Sequence, residues 1–181
     1  MRILAISGSL RARSSNSAVL HAASTLVPEA TELIVYSSLG SLPHFNPDLD
    51  TADPPHEVNA LRREIGLCQG VLISSPEYAH GIGGSLKNAL DWLVSAPEFH
   101  GKPVALFNTA PRAIHAQAQM REILTTMSAR FIDTASIALP LAGRTLDAAG
   151  IVSDTILSKQ IKMALAFFVA EIRFSSPSSM P

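Results

Sequence analysis

The chain has 181 residues, 47% of them apolar and 16% charged, with a formal net charge of −1. That length suffices for one domain with a sizeable core, and near-neutral charge argues against broad electrostatic binding to nucleic acid. One cysteine, Cys68, excludes an internal disulfide and a cysteine-based metal cluster.

In chain order, Arg2–Ser7 is a continuous apolar run of the kind buried on both faces of a parallel sheet. It breaks at Gly8 into a loop of hydroxyls, two arginines and an amide, and a helical pattern resumes at Ala18. Ala18, Val19, Ala22, Ala23 and Leu26 share one face of that helix, which Pro28 closes. Glu32–Tyr36 is a second strand, rich in β-branched residues. From Ser37 to Pro55, glycine and prolines predict a long loop, a length tied to function or to an interface. Val58–Cys68 has helical spacing, and beside Val58, Leu61 and Ile65 the cysteine reads as a buried core thiol.

Gly70 opens a third strand, Val71–Ser74, which ends at Pro76. Ser85–Val94 is the clearest helix: Leu86, Ala89, Leu90, Leu93 and Val94 form an apolar stripe, with Lys87 and Asp91 opposite. Trp92 stands off the stripe, suited either to a subunit contact or to packing under a loop. Val104–Asn108 is the fourth strand, and Ala116, Met120, Ile123, Leu124 and Met127 mark an amphipathic helix. Ala135–Leu139 reads as a fifth strand, Gly143–Gly150 as a loop, and Leu157–Ile172 as the last helix. A single domain over residues 1–174 and a frayed, Ser/Pro-rich tail over 175–181 are expected. Met163–Ala170, the greasiest late stretch, is less than half a membrane span, and the N-terminal run is too short for a signal segment, so a cytoplasmic protein without membrane partners is expected.

Five alternations of strand and helix predict a doubly wound parallel sheet with helices on both faces. Ligands in such sheets bind at the carboxyl ends of the strands, where three loops stand: 8–17, 75–84 and 109–115. The first offers free N–H groups at a helix N-terminus, the hydroxyls of Ser9, Ser14, Ser15 and Ser17, the amide of Asn16, and the guanidinium of Arg11 or Arg13, a set suited to phosphate. It lacks a Walker lysine and the dinucleotide Gly-x-Gly-x-x-Gly, and no Gly-x-Ser-x-Gly nucleophile elbow is present. In the second loop, Gly81, Gly83 and Gly84 let a flat molecule approach the backbone, and Tyr78 can flank a ring. His80 and His115 are candidate proton donors; their spacing suggests no metal site.

These motifs carry a resemblance. Gly8-Ser9-Leu10-Arg11, followed by Ser14 and Asn16, resembles the phosphate loop of the NADPH-dependent FMN reductases. Pro76-Glu77-Tyr78, followed by Gly84-Ser85-Leu86-Lys87-Asn88-Ala89-Leu90-Asp91-Trp92-Leu93, resembles their second signature. The resemblance runs to about residue 140 and implies a flavodoxin-like α/β fold, a five-stranded sheet in the order 2-1-3-4-5. It implies that the FMN phosphate sits on Ser9, Arg11, Ser14, Ser15, Asn16 and Ser17. The flavin ring then lies against Pro76, Glu77 and Tyr78 and the backbone of Ala79, His80 and Gly81, with Asn108, Thr109 and Arg112 at its other edge. Two departures stand out: Gly83-Gly84 replaces the usual Pro-Gly, and residues 109–115 are bulkier than the glycine-rich loop of relatives.

The implied activity is ping-pong transfer of a hydride from NADPH or NADH to FMN and on to a quinone, flavin or similar small acceptor. No protein nucleophile or metal is needed. A homodimer or homotetramer is implied, with the Leu86–Leu93 helix and the 37–55 loop near the interface. The alternative is a non-enzymatic FMN electron carrier or redox sensor, which the missing strong negative charge disfavours.

Overall fold

In the computed structural model, residues 1–175 are described. Three strands make the centre of the sheet because each has an uninterrupted apolar run between its ends: β1 (Arg2–Ser7), β3 (Gly70–Ser74) and β6 (Pro103–Asn108). Side chains alternate between faces along a strand. Leu4, Ile6, Val71, Ile73, Val104 and Leu106 therefore join one core, and Ile3, Ala5, Leu72, Ala105 and Phe107 the other. Each fully buried aliphatic side chain of this kind contributes roughly 1.5–3 kcal/mol.

Helices α2 (His56–Leu67), α3 (Gly84–Leu93) and α4 (Ile114–Thr126) cover the first face. Helices α1 (Ser15–Leu26), α5 (Ala148–Ser153) and α6 (Thr155–Ser175) cover the second. Gly70 lets α6 approach the start of β3, since a β-carbon there would meet Ile172 Cδ1 at 2.6 Å. With β2 (Glu32–Tyr36) at one edge, the strands run β2-β1-β3-β6, all parallel. This is the doubly wound order expected.

The far edge corrects the sequence reading. In place of one fifth strand over 135–139, two short segments lie parallel beside β6: β7 (Arg130–Phe131) against its start and β8 (Ile137–Ala138) against its end. A single helical turn, Asp133–Ala135, separates them, and Ser136 Oγ accepts the N–H of Leu106 where the ladder is interrupted. The main sheet thus has six strands rather than five. Residues 143–150 are not all loop either. Asp147 caps α5 by accepting the Gly150 N–H at 2.8 Å, and Ile151 anchors it in the core. The expected frayed tail lies outside the described residues except for Ser175, which ends α6.

The 37–55 segment is irregular as predicted, with two short 3-10 turns, and it covers Trp92. The indole is fully buried, donates to the Pro43 carbonyl at 2.8 Å, and meets Phe45 edge-on. Packing under a loop, and not exposure for a subunit contact, is its role in this chain. Among the described residues no helix is long and apolar enough to cross a membrane.

Candidate active site

All three loops stand at the carboxyl ends of β1, β3 and β6, where the chain reverses its direction of winding between β1 and β3. The first begins at Gly8, whose N–H bonds to the Ser74 carbonyl at 2.8 Å, tying the ends of β1 and β3 together. Ser14 then caps α1, its hydroxyl accepting the Ser17 N–H. Ser17 Oγ lies 2.9 Å from Ser7 Oγ, and Ser9 Oγ accepts the Arg11 N–H. The backbone N–H groups of residues 12–16 find no acceptor among the described residues. Five adjacent free donors at the positive end of a helix are an anion seat.

Five of the ten arginines are ion-paired among the described residues. Arg2, Arg62, Arg121, Arg130 and Arg144 are paired with carboxylates. Arg11 and Arg13 on the first loop and Arg112 on the third, like Arg63 and Arg173 elsewhere, have no ion-pair partner among the described residues and are exposed.

The second loop is more ordered than its glycines suggest. Glu77–Tyr78 (β4) and Gly81–Ile82 (β5) form an antiparallel hairpin. Ala79 and His80 at its tip both have positive φ, 48° and 59°, as the twist of a two-residue hairpin requires. Non-glycine residues there cost roughly 1 kcal/mol or more each, so the turn needs support. Glu77 Oε2 accepts the Ala116 N–H at 2.9 Å, Gln119 Oε1 accepts the Ile82 N–H at 2.8 Å, and the imidazoles of His80 and His115 stack with centroids 4.3 Å apart. All three contacts reach α4. Glu77 is therefore a helix-capping group in this chain, and Tyr78 keeps an exposed ring beside Gly83.

In the third loop, Asn108 Oδ1 accepts the Ala110 N–H and Thr109 is buried, while Arg112 points outward. The side chain of Asn16 leaves the first loop to join Ser74 and Thr109 beneath it. Of the predicted residues, Arg11, Ser15, Tyr78, Ala79, His80, Gly81 and Arg112 are at least partly exposed on the three loops, whereas Ser9 is buried with its hydroxyl taken up by the Arg11 N–H. Ser14, Ser17, Asn16, Glu77, Asn108 and Thr109 are engaged within the protein; Pro76 leads from β3 into the hairpin. Ser74, Ser75 and Gln119 were not singled out. Gln119 gave no signal because one polar residue on the outer face of an amphipathic helix looks like any other.

Two surface concavities, of about 470 Å³ and 330 Å³, lie elsewhere. One is at the amino ends of the strands around Met1, Thr31 and Gln69, and the other lies between β8 and α6. Neither touches the three loops, and strand amino ends offer no converging N–H groups. Among the described residues no group of three metal-ligating side chains occurs.

Comparison with known proteins bears on what this site takes. The profile of the NADPH-dependent FMN reductase family matches residues 1–143. An NAD(P)H-dependent FMN reductase of Pseudomonas aeruginosa is 31% identical, covering 96% of this chain and 97% of its own. An NADPH:quinone oxidoreductase of Arabidopsis thaliana is 31% identical over 91% of this chain and 88% of its own. Among solved structures, a flavoenzyme NAD(P)H:acceptor oxidoreductase of Paracoccus denitrificans superposes with a TM-score of 0.84 at 28% identity, covering 96% of this chain and 97% of that one. The chain belongs to the NADPH-dependent FMN reductase family.

Proposed function

We propose that this protein is an FMN-dependent NAD(P)H oxidoreductase that reduces a quinone, a flavin or a similar small acceptor. The observation that carries the reading is the anion seat: free N–H groups at residues 12–16 with the unpaired guanidinium of Arg11 beside them. Those donors fit a phosphate dianion, which only accepts hydrogen bonds. When bound, FMN would supply the redox chemistry: acceptance of a hydride from NAD(P)H and delivery of two electrons to the acceptor.

The protein's part is to bind, orient and supply protons. Ser9, Arg11, Ser14, Ser15 and Ser17 with the start of α1 hold the phosphate. The segment Pro76–Gly81, braced against α4, forms a rigid wall for the ring, with Tyr78 beside it. Asn108, Thr109 and Arg112 bound the opposite edge. The imidazole nitrogens of His80 and His115 have no hydrogen-bond partner among the described residues, so either ring is free to give a proton to a reduced acceptor at the rim. We also infer a homodimer or homotetramer, and a cytoplasmic setting in keeping with one buried, unpaired cysteine.

The test is the visible spectrum of the purified protein before and after anaerobic NADPH, then NADH. A flavin spectrum that bleaches supports the oxidoreductase; one that stays oxidised with both favours an electron carrier. No flavin, and none taken up from added FMN, overturns the reading. Arg11→Ala is expected to weaken FMN binding by at least tenfold, since a charge-assisted bond contributes about 1.5–3 kcal/mol.

A further inference from the structure

The family resemblance assigns Asn16 to the phosphate, but its side chain turns toward the sheet. One atom of its terminal amide lies 2.8 Å from Ser74 Oγ and 3.1 Å from Thr109 Oγ1. The other atom has no partner among the described residues, yet it is not sealed from solvent, although Asn16 as a whole is only 6% exposed. Asn16 lies in the first turn of α1 beside the anion seat and the ends of β3 and β6, so that atom is the part of its side chain open to a ligand there.

Counting protons decides which atom it is. Ser74 Oγ also lies 2.7 Å from the Phe107 carbonyl, which only accepts. With Asn16 Oδ1 turned inward, Ser74 has two acceptors and one proton, so one short contact sets lone pair against lone pair. Turned by half a revolution, the amide donates from Nδ2 to both Ser74 Oγ and Thr109 Oγ1, while Ser74 gives its own proton to Phe107. No short contact then sets lone pair against lone pair, and the one proton left without an acceptor among the described residues is that of Thr109; the hydrogen-bond network rather than the heavy-atom positions assigns an asparagine amide.

We propose that Asn16 presents its carbonyl oxygen to the site and receives a ribityl hydroxyl of FMN, not the phosphate. A phosphate dianion has no proton to give that oxygen, whereas the polyol chain next to the phosphate has three. The proposal rests on the flavin reading above, and it makes Asn16 a reader of the cofactor's sugar chain.

Three flavins separate the possibilities: FMN, riboflavin without the phosphate, and lumiflavin without the ribityl chain. Asn16→Ala is expected to weaken FMN and riboflavin by the same factor, about fivefold to tenfold, and to leave lumiflavin unchanged. A loss confined to FMN, or no loss with any flavin, overturns the proposal. The second measurement needs no variant and no activity: proton–nitrogen NMR of the Asn16 amide in wild-type protein. The NH2 pair is expected to be protected from solvent exchange before flavin is added and to stay unshifted on titration with inorganic phosphate. An NH2 pair that exchanges freely and becomes protected only with FMN or phosphate places the donor outward and refutes the assignment. If the protein takes up no FMN, the function above fails, while exchange in the flavin-free protein still reports the amide's orientation.

Discussion

A β-carbon on Gly8 would come within 2.5 Å of Ser75 Oγ and 2.9 Å of Ser75 Cβ, so the first loop can leave β1 there only without a side chain. Gly8→Ala is expected to cost about 1–3 kcal/mol of stability, as overpacking does, and to loosen FMN binding; urea unfolding and flavin titration measure the two. Adding Ser75→Gly removes the two nearest atoms and leaves Leu86 Cδ2 at 3.0 Å, so it should restore most of the loss; no recovery would place the fault in the backbone or at Leu86 and not at Ser75. Glu77 has a structural task in this fold. Its carboxylate accepts the Ala116 N–H, a task glutamine performs as well, so Glu77→Gln should melt within a degree or two of wild type. Glu77→Ala leaves that N–H at the start of α4 without its acceptor and should cost about 1 kcal/mol. Cys68 is buried, and burial pushes its thiol up from the ordinary range. Thiol reagents are therefore expected to leave the native protein unlabelled and to react once it is unfolded in denaturant.

The 37–55 segment shows how an element without regular structure is held. Asn88 and Trp92 of α3 both donate to the Pro43 carbonyl, and Asn88 Oδ1 accepts the Phe45 N–H. Further on, Asp50 receives Arg62 Nη2 at 2.8 Å and the Ser95 hydroxyl at 2.6 Å. The Ser95 bond, and then Arg62, hold the Asp50 carboxyl below its usual range. A carboxylate with a lowered folded-state pKa adds stability that is present above the unfolded value, about 3.9, and is lost as pH falls through the folded value. The urea midpoint should accordingly drop as pH goes from about 5 to about 3, and Asp50→Asn should flatten part of that drop. An unchanged slope in the variant would assign the acid sensitivity to other carboxylates. None of these anchors was legible in the sequence, because each joins residues more than ten positions apart with no periodic signal. What was legible were elements whose own pattern repeats: the apolar runs of β1, β3 and β6, and the stripe of α3. The fifth strand failed because two-residue segments carry no pattern, the hairpin because its glycines read as turns, and α5 because Gly150 reads as a breaker.

For the molecule as a whole, alternation of strand and helix was enough to bring the three loops to one end of the sheet, since right-handed crossovers leave few ways to lay the strands side by side. What alternation leaves open is which apolar residues stay outside. Trp92 went inward, while Leu49 and Val94 remain exposed, each adjacent in sequence to a partner in the Asp50–Ser95 contact. They form an apolar edge where the 37–55 segment meets the end of α3, the region proposed for the subunit interface. A second apolar surface runs along α6 through Ile156, Met163 and Phe167, seven and four residues apart and therefore on one helix face. An isologous contact presents the same patch twice, so one charge introduced there acts twice in the dimer. Leu49→Lys with Val94→Lys is expected to shift the protein to monomers in sedimentation velocity, with the far-ultraviolet circular dichroism unchanged. Met163→Lys with Phe167→Lys should leave the association intact. The opposite pattern would move the interface to α6, and a wild-type protein that sediments as a monomer at every concentration would remove it altogether.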